Sequence, residues 1–231
     1  MAETSVPFPA PAPGPIVAAD LEGTCTTGET WRAVARWLGE NGRRGRYRRF
    51  LVPRLPLVPL ARLGIIDVQR FRERWIGDLA RLLDGLPEST LTAMAAYVVE
   101  RDLWPQRRQG VIDDLEAAAV GGARVVLASG TYQPIVEQFA ARFSHGVVAL
   151  GTPFEIVDGL ATGRLTARAG TGARKAARVA SVAQGAVMKV AYGDSAADIP
   201  MLEAAERAVA VHPDAALRRV ASARGWRILE A

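Results

Sequence analysis

Residues 16–29 read IVAADLEGTCTTGE. The apolar run, with Pro15 before it and Gly23 after it, marks residues 16–21 as a short buried strand. That strand ends in two carboxylates, Asp20 and Glu22, one residue apart and followed by Gly23-Thr24. A single acid in such a place serves as a helix cap. Two repel one another and need a reason to be held together, and the reason has to come from elsewhere in the chain.

Beyond Glu29 the pattern turns helical. TWRAVARWLGE (30–40), VQRFRERWIGDLARLLDGL (68–86) and STLTAMAAYVVERDL (89–103) space their apolar residues by three and four. Ser89 is the expected cap of the third, and Pro105 follows its end. After Pro105, helices are predicted over 110–122, 132–143, 173–183, 198–206 and 214–224. Strands are predicted over 123–129, 145–150, 188–194 and 208–212. A hairpin over 152–168 turns at Asp158-Gly159 or at Thr162-Gly163. Regular alternation implies an α/β fold, a parallel sheet with helices on both faces. The long helical stretch after the first strand is then an insertion. The expected division is a flexible Pro-rich tail (1–14), a core (15–27 and 106–231) and an inserted helical cap (28–105).

Composition narrows the class. The chain has 231 residues, 49% hydrophobic and 23% charged, as an ordinary folded protein does. With Cys25 alone, no internal disulfide can form. The start, MAETSVPFPAPAPGP, lacks the basic and apolar regions of a signal peptide, so a cytoplasmic location is expected. The most apolar stretch, FLVPRLPLVPLARLGIIDV (50–68), is broken by three prolines and by Arg54 and Arg62, so no membrane span is expected. The net charge of +5 is unevenly placed. Residues 28–105 hold 14 Arg against 9 Asp and Glu, whereas the remainder holds 15 Lys and Arg against 15 Asp and Glu. The excess is densest at GRRGRYRRF (42–50). Such a patch attracts anionic substrates, lipid headgroups or nucleic acid, or is simply a solvated helix face. No recognition motif accompanies it, so no nucleic-acid partner is expected. The sequence does not fix an oligomeric state.

Parallel sheets bind ligands at the carboxyl ends of their strands. Those ends carry Asp20, Glu22 and Thr24; then Ser129-Gly130-Thr131; then Asp194, Ser195 and Asp198 in YGDSAADIPML. Lys175 stands near the start of an intervening helix and is one of only two lysines, beside Lys189, in an arginine-rich chain. A compact ammonium where arginine is the habit marks a site that needs a point charge.

DLEGT, LASG, the lysine of GARKAARV and YGDSAADIPML together resemble the four motifs of the haloacid dehalogenase superfamily of phosphatases. The insertion directly after the first motif is similar to that of the phosphoserine phosphatase subgroup, and the resemblance covers nearly all the chain beyond its Pro-rich start. It implies a Rossmann-like sheet with an inserted helical cap. It also implies hydrolysis of a small anionic phosphomonoester through an aspartyl-phosphate. Covalent catalysis divides a very slow reaction into two steps, with Asp20 as nucleophile and Glu22 as the proton donor and acceptor. Four acids at one edge (Asp20, Glu22, Asp194, Asp198) call for a cation, and hard oxygens beside phosphate favour Mg²⁺. The resemblance makes Asp20, the backbone carbonyl of Glu22 and Asp194 its ligands, with Asp198 in support. Ser129 and Gly130 would bind phosphate, with Lys175 balancing its charge.

The sequence departs from the family in several places. The superfamily usually has Asp where Glu22 stands. A related phosphoserine-homoserine phosphotransferase shares DLEG, so transfer to an alcohol instead of water is a second possible outcome. Glu29, nine residues beyond Asp20, falls where phosphoserine phosphatases read the substrate amine, and is equally placed to cap 30–40. Leu79 falls where they carry a carboxylate-binding arginine, with Arg72, Arg74 or Arg81 as substitutes. The basic, apolar stretch GRRGRYRRFLVPRLPLVPL (42–60) also allows a lipid-phosphate substrate met at the membrane periphery. The glutamate at position 22 leaves room for a phospho-ligand binder without turnover. Cys25 is expected to pack as a small apolar residue, His145 and His212 to be non-catalytic, and Trp31, Trp37, Phe50, Phe71 and Trp75 to form the core of the insertion.

Overall fold

The computed structural model describes residues 14–55 and 68–230. The proline-rich residues 1–13 and the 56–67 part of the basic, apolar stretch lie outside the described residues.

Six strands form one parallel sheet: β1 (Ile16–Ala19), β2 (Arg124–Tyr132), β3 (Val147–Thr152), β6 (Met188–Gly193), β7 (Arg207–Val211) and β8 (Arg227–Leu229), in the order β3-β2-β1-β6-β7-β8. A hairpin of β4 (Phe154–Val157) and β5 (Leu160–Leu165) stands apart. It turns at Asp158-Gly159, both with positive φ (51° and 76°), the first of the two turns that the sequence offers. Chain order reverses on either side of β1, so the ligand crevice of such a sheet opens beyond the end of that strand.

Helices α1 (Thr30–Glu40), α2 (Arg44–Leu51), α3 (Val68–Ala80) and α4 (Glu88–Val98) lie between β1 and β2. They are followed by α5 (Gln109–Val120), α6 (Gln133–Ala140), α7 (Ala173–Ala183), α8 (Ile199–Glu203) and α9 (Ala215–Arg224). Alternate strand residues face opposite ways, and both directions are apolar. Val17, Ala19, Val125, Leu127 and Val190 pack with α5 and α6. Ile16, Ala18, Val126, Ala128 and Ala191 pack with α7, α8 and α9. The first cluster continues without a break into the helices between β1 and β2, through Trp37, Leu38, Leu79, Leu83, Leu91, Met94 and Val98. Trp37, Phe50 and Trp75 are buried there, with Trp31 and Phe71 packed against them.

A second seam is polar. Gly85 N donates to Ala161 O (2.8 Å), Ala161 N to Leu86 O (2.8 Å) and Glu88 N to Gly159 O (3.1 Å). These main-chain bonds stitch the α3–α4 connection to the β4–β5 hairpin.

Several expectations are corrected in detail. β1 ends at Ala19, not at residue 21, because the chain folds back: Cys25 N and Thr26 N both donate to Leu21 O, and Gly23 N donates to Thr26 O. β2 runs on to Tyr132 through the Ser-Gly-Thr segment. Pro87, not Ser89, is the N-cap of α4, and Ser89 lies inside the first turn. α4 continues as a π-helical turn over Val99–Leu103. β8 is a strand that the sequence does not announce: three residues of mixed polarity at a sheet edge carry no periodic signal.

Candidate active site

Asp20 follows the last residue of β1, and its backbone N–H donates to Tyr192 O of β6 (3.1 Å). This central strand leaves the residue only 6% exposed. Lys175, in the first turn of α7, reaches it: Nζ lies 2.5 Å from Asp20 Oδ1 and 2.6 Å from Asp198 Oδ1. Lys175 is itself 5% exposed and Asp198 fully buried. An unpaired charge at such depth would be strongly unfavourable; one ammonium between two carboxylates makes the group tolerable.

Burial alone would pull the Lys175 ammonium down, but Asp198 and Asp20 outweigh it and hold the pKa above the ordinary lysine value, so the charge is permanent. Asp20 is pushed the other way. Burial raises its carboxyl, Lys175 draws it back, Asp198 and Glu22 raise it again, and the result is about 7. A further cation would complete the ionisation of Asp20.

The loop after β6 supplies the remaining acids. Asp198 Oδ1 faces Lys175, while Oδ2 accepts from Asp194 N (3.2 Å), Ser195 N (3.1 Å) and Ser195 Oγ (3.0 Å). Asp198 therefore closes a capping box on the turn Ala196–Asp198 and fixes the loop. Asp214, the N-cap of α9, ties the same loop from behind: Oδ2 accepts from Ala196 N, Oδ1 from Leu217 N, and its own N–H donates to Asp194 O. One oxygen each from Asp20, Asp194 and Asp198 lies within 4.8 Å of the other two. Oxygens sharing an octahedral Mg²⁺ at about 2.1 Å stand about 3 to 4.2 Å apart, so Asp20 and Asp194 are placed to share a small hard cation, while both oxygens of Asp198 are already engaged by Lys175 and the loop donors.

Two glycines make this approach feasible. A Cβ on Gly23, whose φ is +91°, would sit 2.1 Å from Asp194 Oδ2. A Cβ on Gly193 would sit 2.4 Å from that of Asp198. Arg108 Nε donates to Gly23 O (3.1 Å) and holds the loop from outside.

Ser129 and Gly130 lie in the last part of β2. Ser129 is buried and its Oγ accepts from Thr131 N (3.2 Å). Gly130 O accepts from Thr152 Oγ1 (2.8 Å), and a Cβ at Gly130 would meet the Thr171 methyl at 3.1 Å. The hydroxyls of Thr24 and Thr131 are buried without a hydrogen-bond partner among the described residues. Thr131, next to last in β2, is placed where an anionic ligand of such a sheet would lie.

Glu22 takes a different direction. Its Oε1 accepts from Thr30 N, at the first residue of α1. The extra methylene of glutamate thus lets the carboxylate meet the helix start, where its charge is favoured. Glu29 is the backbone N-cap of α1, but its side chain is exposed and pairs with Arg32 (2.5 Å). Leu79 is fully buried in the apolar cluster, Arg81 pairs with Asp78, and Arg74 is exposed. The Arg72 side chain lies outside the described residues. Cys25 is buried, its thiol pushed well up by burial and then by Asp20, and it packs apolarly as expected. His145 is exposed beside Glu116, 3.3 Å away.

Sequence reading missed the contacts that bring α3 against this edge. Glu73 accepts from Thr171 Oγ1 (2.6 Å) and from Arg174, the neighbour of Lys175. Tyr132 OH donates to Ile76 O (2.8 Å). Their sequence separations of 98, 101 and 56 residues leave no local trace. For Asp214 a signal existed, an acid immediately before a helical run.

Residues 17–203 match the family model of haloacid dehalogenase-like hydrolases. Among curated proteins, the chain is 38% identical over 150 residues to phosphoserine phosphatase SerB1 of Mycobacterium tuberculosis, covering 63% of this chain and 48% of that one. The chain thus spans about half the length of the curated relatives it matches first. Among solved structures, a protein of unknown function from Bordetella pertussis Tohama I superimposes with a TM-score of 0.78 at 23% identity, over 94% of this chain and 99% of that one. A phospho-aspartyl intermediate analogue of phosphoserine phosphatase superimposes with a TM-score of 0.64 at 19% identity, over 94% of each.

Proposed function

The chain belongs to the haloacid dehalogenase-like hydrolase family, and on that premise we propose that it hydrolyses a small phosphomonoester with Asp20 as nucleophile. The observation that carries this reading is the buried Asp20–Lys175–Asp198 array, with Asp194 beside it at the switch point of the sheet.

Asp20 Oδ attacks phosphorus while the ester P–O bond breaks, giving an aspartyl-phosphate and an alkoxide that takes a proton from Glu22. A water molecule then surrenders a proton to Glu22 as it attacks the same phosphorus, which releases phosphate and restores Asp20. Lys175 fixes the unreactive oxygen of Asp20 and offsets charge at the phosphoryl group. Ser129, Thr131 and the backbone around Gly130 bind the phosphate oxygens. Asp20, Asp194 and the backbone carbonyl of Glu22 would hold Mg²⁺, with Asp198 orienting the loop; when bound, the ion neutralises phosphate charge. For either proton transfer Glu22 must leave the Thr30 N–H, so its reactivity is tied to the start of α1. The insertion, residues 28–105, acts as the cap that shapes the leaving-group side of the site and excludes water.

The leaving group differs from serine in this reading. Leu79 is apolar and buried where the resemblance places a carboxylate-binding arginine, and Glu29 is engaged by Arg32. The test is release of p-nitrophenol from p-nitrophenyl phosphate with Mg²⁺, beside Asp20→Asn. A screen of phosphometabolites follows, including phosphoserine and lysophospholipids, with homoserine added as acceptor. Equal rates for the parent and D20N would overturn the assignment. Phosphoryl transfer to the added alcohol in preference to water would convert it into a phosphotransferase.

A further inference from the structure

The outer side of the insertion carries a surface that the catalytic reading does not use. On α2, Arg44, Arg46, Arg48 and Arg49 are all exposed, and among the described residues none of them forms an ion pair. Phe50 is buried and Tyr47 half-buried on the other side, against Trp75 of α3. α3 in turn meets the core through Glu73 and Ile76. Arg44, Arg48 and Arg49 therefore lie off the Phe50 side of α2, while Arg46, one turn before Phe50, flanks it.

The helical path does not stop at Leu51. Val52 and Leu55 keep right-handed helical dihedrals, and Leu55 N donates to Leu51 O (3.1 Å). Val52–Arg54 form a 3-10 turn that prolongs α2, and Arg44, Arg48, Val52 and Leu55 fall on one broad side of the combined path. Val52 is 60% and Leu55 51% exposed, two of the few large apolar side chains left open to solvent among the described residues. Exposed cations next to two bare aliphatics on one stripe suit a surface that is anionic at its face and apolar just beneath.

We propose that α2 and the turn after it dock on an anionic lipid bilayer, the arginines on headgroup phosphates and Val52 and Leu55 at the acyl boundary. The complementarity is specific in kind. Unpaired arginines alone would serve any polyanion, but exposed Val and Leu gain nothing from a nucleic-acid backbone, and none of the exposed side chains on the stripe is aromatic to stack on a base. The inference does not depend on the phosphatase reading, since none of these residues touches the site.

The experiment is co-sedimentation of the full chain with phosphatidylcholine vesicles containing about one-third phosphatidylglycerol, against pure phosphatidylcholine. Preference for the anionic vesicles, lost in high salt, is the expected result. Each arginine removed costs about five-fold, so R44Q/R48Q/R49Q falls by on the order of 100-fold. V52S/L55S falls by roughly ten-fold through loss of apolar insertion. Both variants change only exposed side chains and keep the parent's turnover of p-nitrophenyl phosphate, so failure here is distinguishable from failure of the enzyme assignment. Equal binding to neutral and anionic vesicles overturns the proposal. So does V52S/L55S binding as the parent does, or tighter retention on duplex oligonucleotide than on anionic vesicles.

Discussion

Two cationic regions of this molecule have opposite designs. Lys175 is one ammonium, 5% exposed, with two carboxylate oxygens within 2.6 Å. The four arginines of α2 are exposed and, among the described residues, without counter-ions. In the buried case each charge exists only because its partners do, and the field around it is short-ranged, directional and strong. In the exposed case water does the solvating, the interaction is weak per charge, and it acts at a distance set by salt. In the proposed mechanism the first arrangement acts on one atom; in the docking proposal the second steers.

The sharpest way to break the contrast is to remove Asp20. D20N is expected to lower kcat on p-nitrophenyl phosphate by on the order of 10⁴-fold or more, while R44Q/R48Q/R49Q leaves it unchanged. Lys175→Met comes next. Loss of one preorganised cation lowers kcat by about 10²–10³-fold, and stranding Asp20 with Asp198 destabilises the fold by about 3–5 kcal/mol, read as the shift in urea midpoint. Lys175→Arg is not a rescue, because the planar fork cannot occupy the position of a point donor.

Gly23→Ala tests the site without touching a charge. Its Cβ would lie 2.1 Å from Asp194 Oδ2 and the φ is +91°, so Mg²⁺ affinity by calorimetry should fall at least about ten-fold. The pH dependence of the same titration carries a definite sign. Asp20 is raised to about 7 in the absence of metal, so below that pH it must lose a proton before it can bind. Affinity then weakens by up to about ten-fold per unit as pH falls below 7 and is level above it. Constant affinity between pH 5.5 and 8 would show Asp20 to be ionised already. The smallest effect belongs to Glu73→Gln. Its contacts with Thr171 and Arg174 bridge insertion and core but are partly exposed, so stability changes by about 1 kcal/mol or less and KM shifts by a few-fold, with kcat little altered.

The sheet was legible because its strands are short, apolar and punctuated, and because the residues that end them are chemically improbable unless they meet. Asp20, Asp194 and Asp198 stand out in this way, Lys175 through the rarity of lysine and the family resemblance, and the structure brings all four together. The direction of Glu22 was not legible. Whether a longer carboxylate points into the crevice or back to a helix start depends on where Thr30 N lies, and sequence holds no record of that. Glu73 could not be picked out among the charges of a polar helix, since what distinguishes it is a partner some hundred residues away. The π-helical turn over Val99–Leu103 and the three-residue β8 were equally hidden, each too short to establish a period.

The three amide links that join Gly85, Leu86 and Glu88 to the hairpin have a consequence for how such a protein can diversify. A bond between peptide groups does not ask which side chains flank it. If the helices between β1 and β2 act as the proposed cap, they can exchange residues on their inner surface while this main-chain splice keeps their pose. On the proposed function, novelty in substrate choice is thereby uncoupled from the posture of those helices.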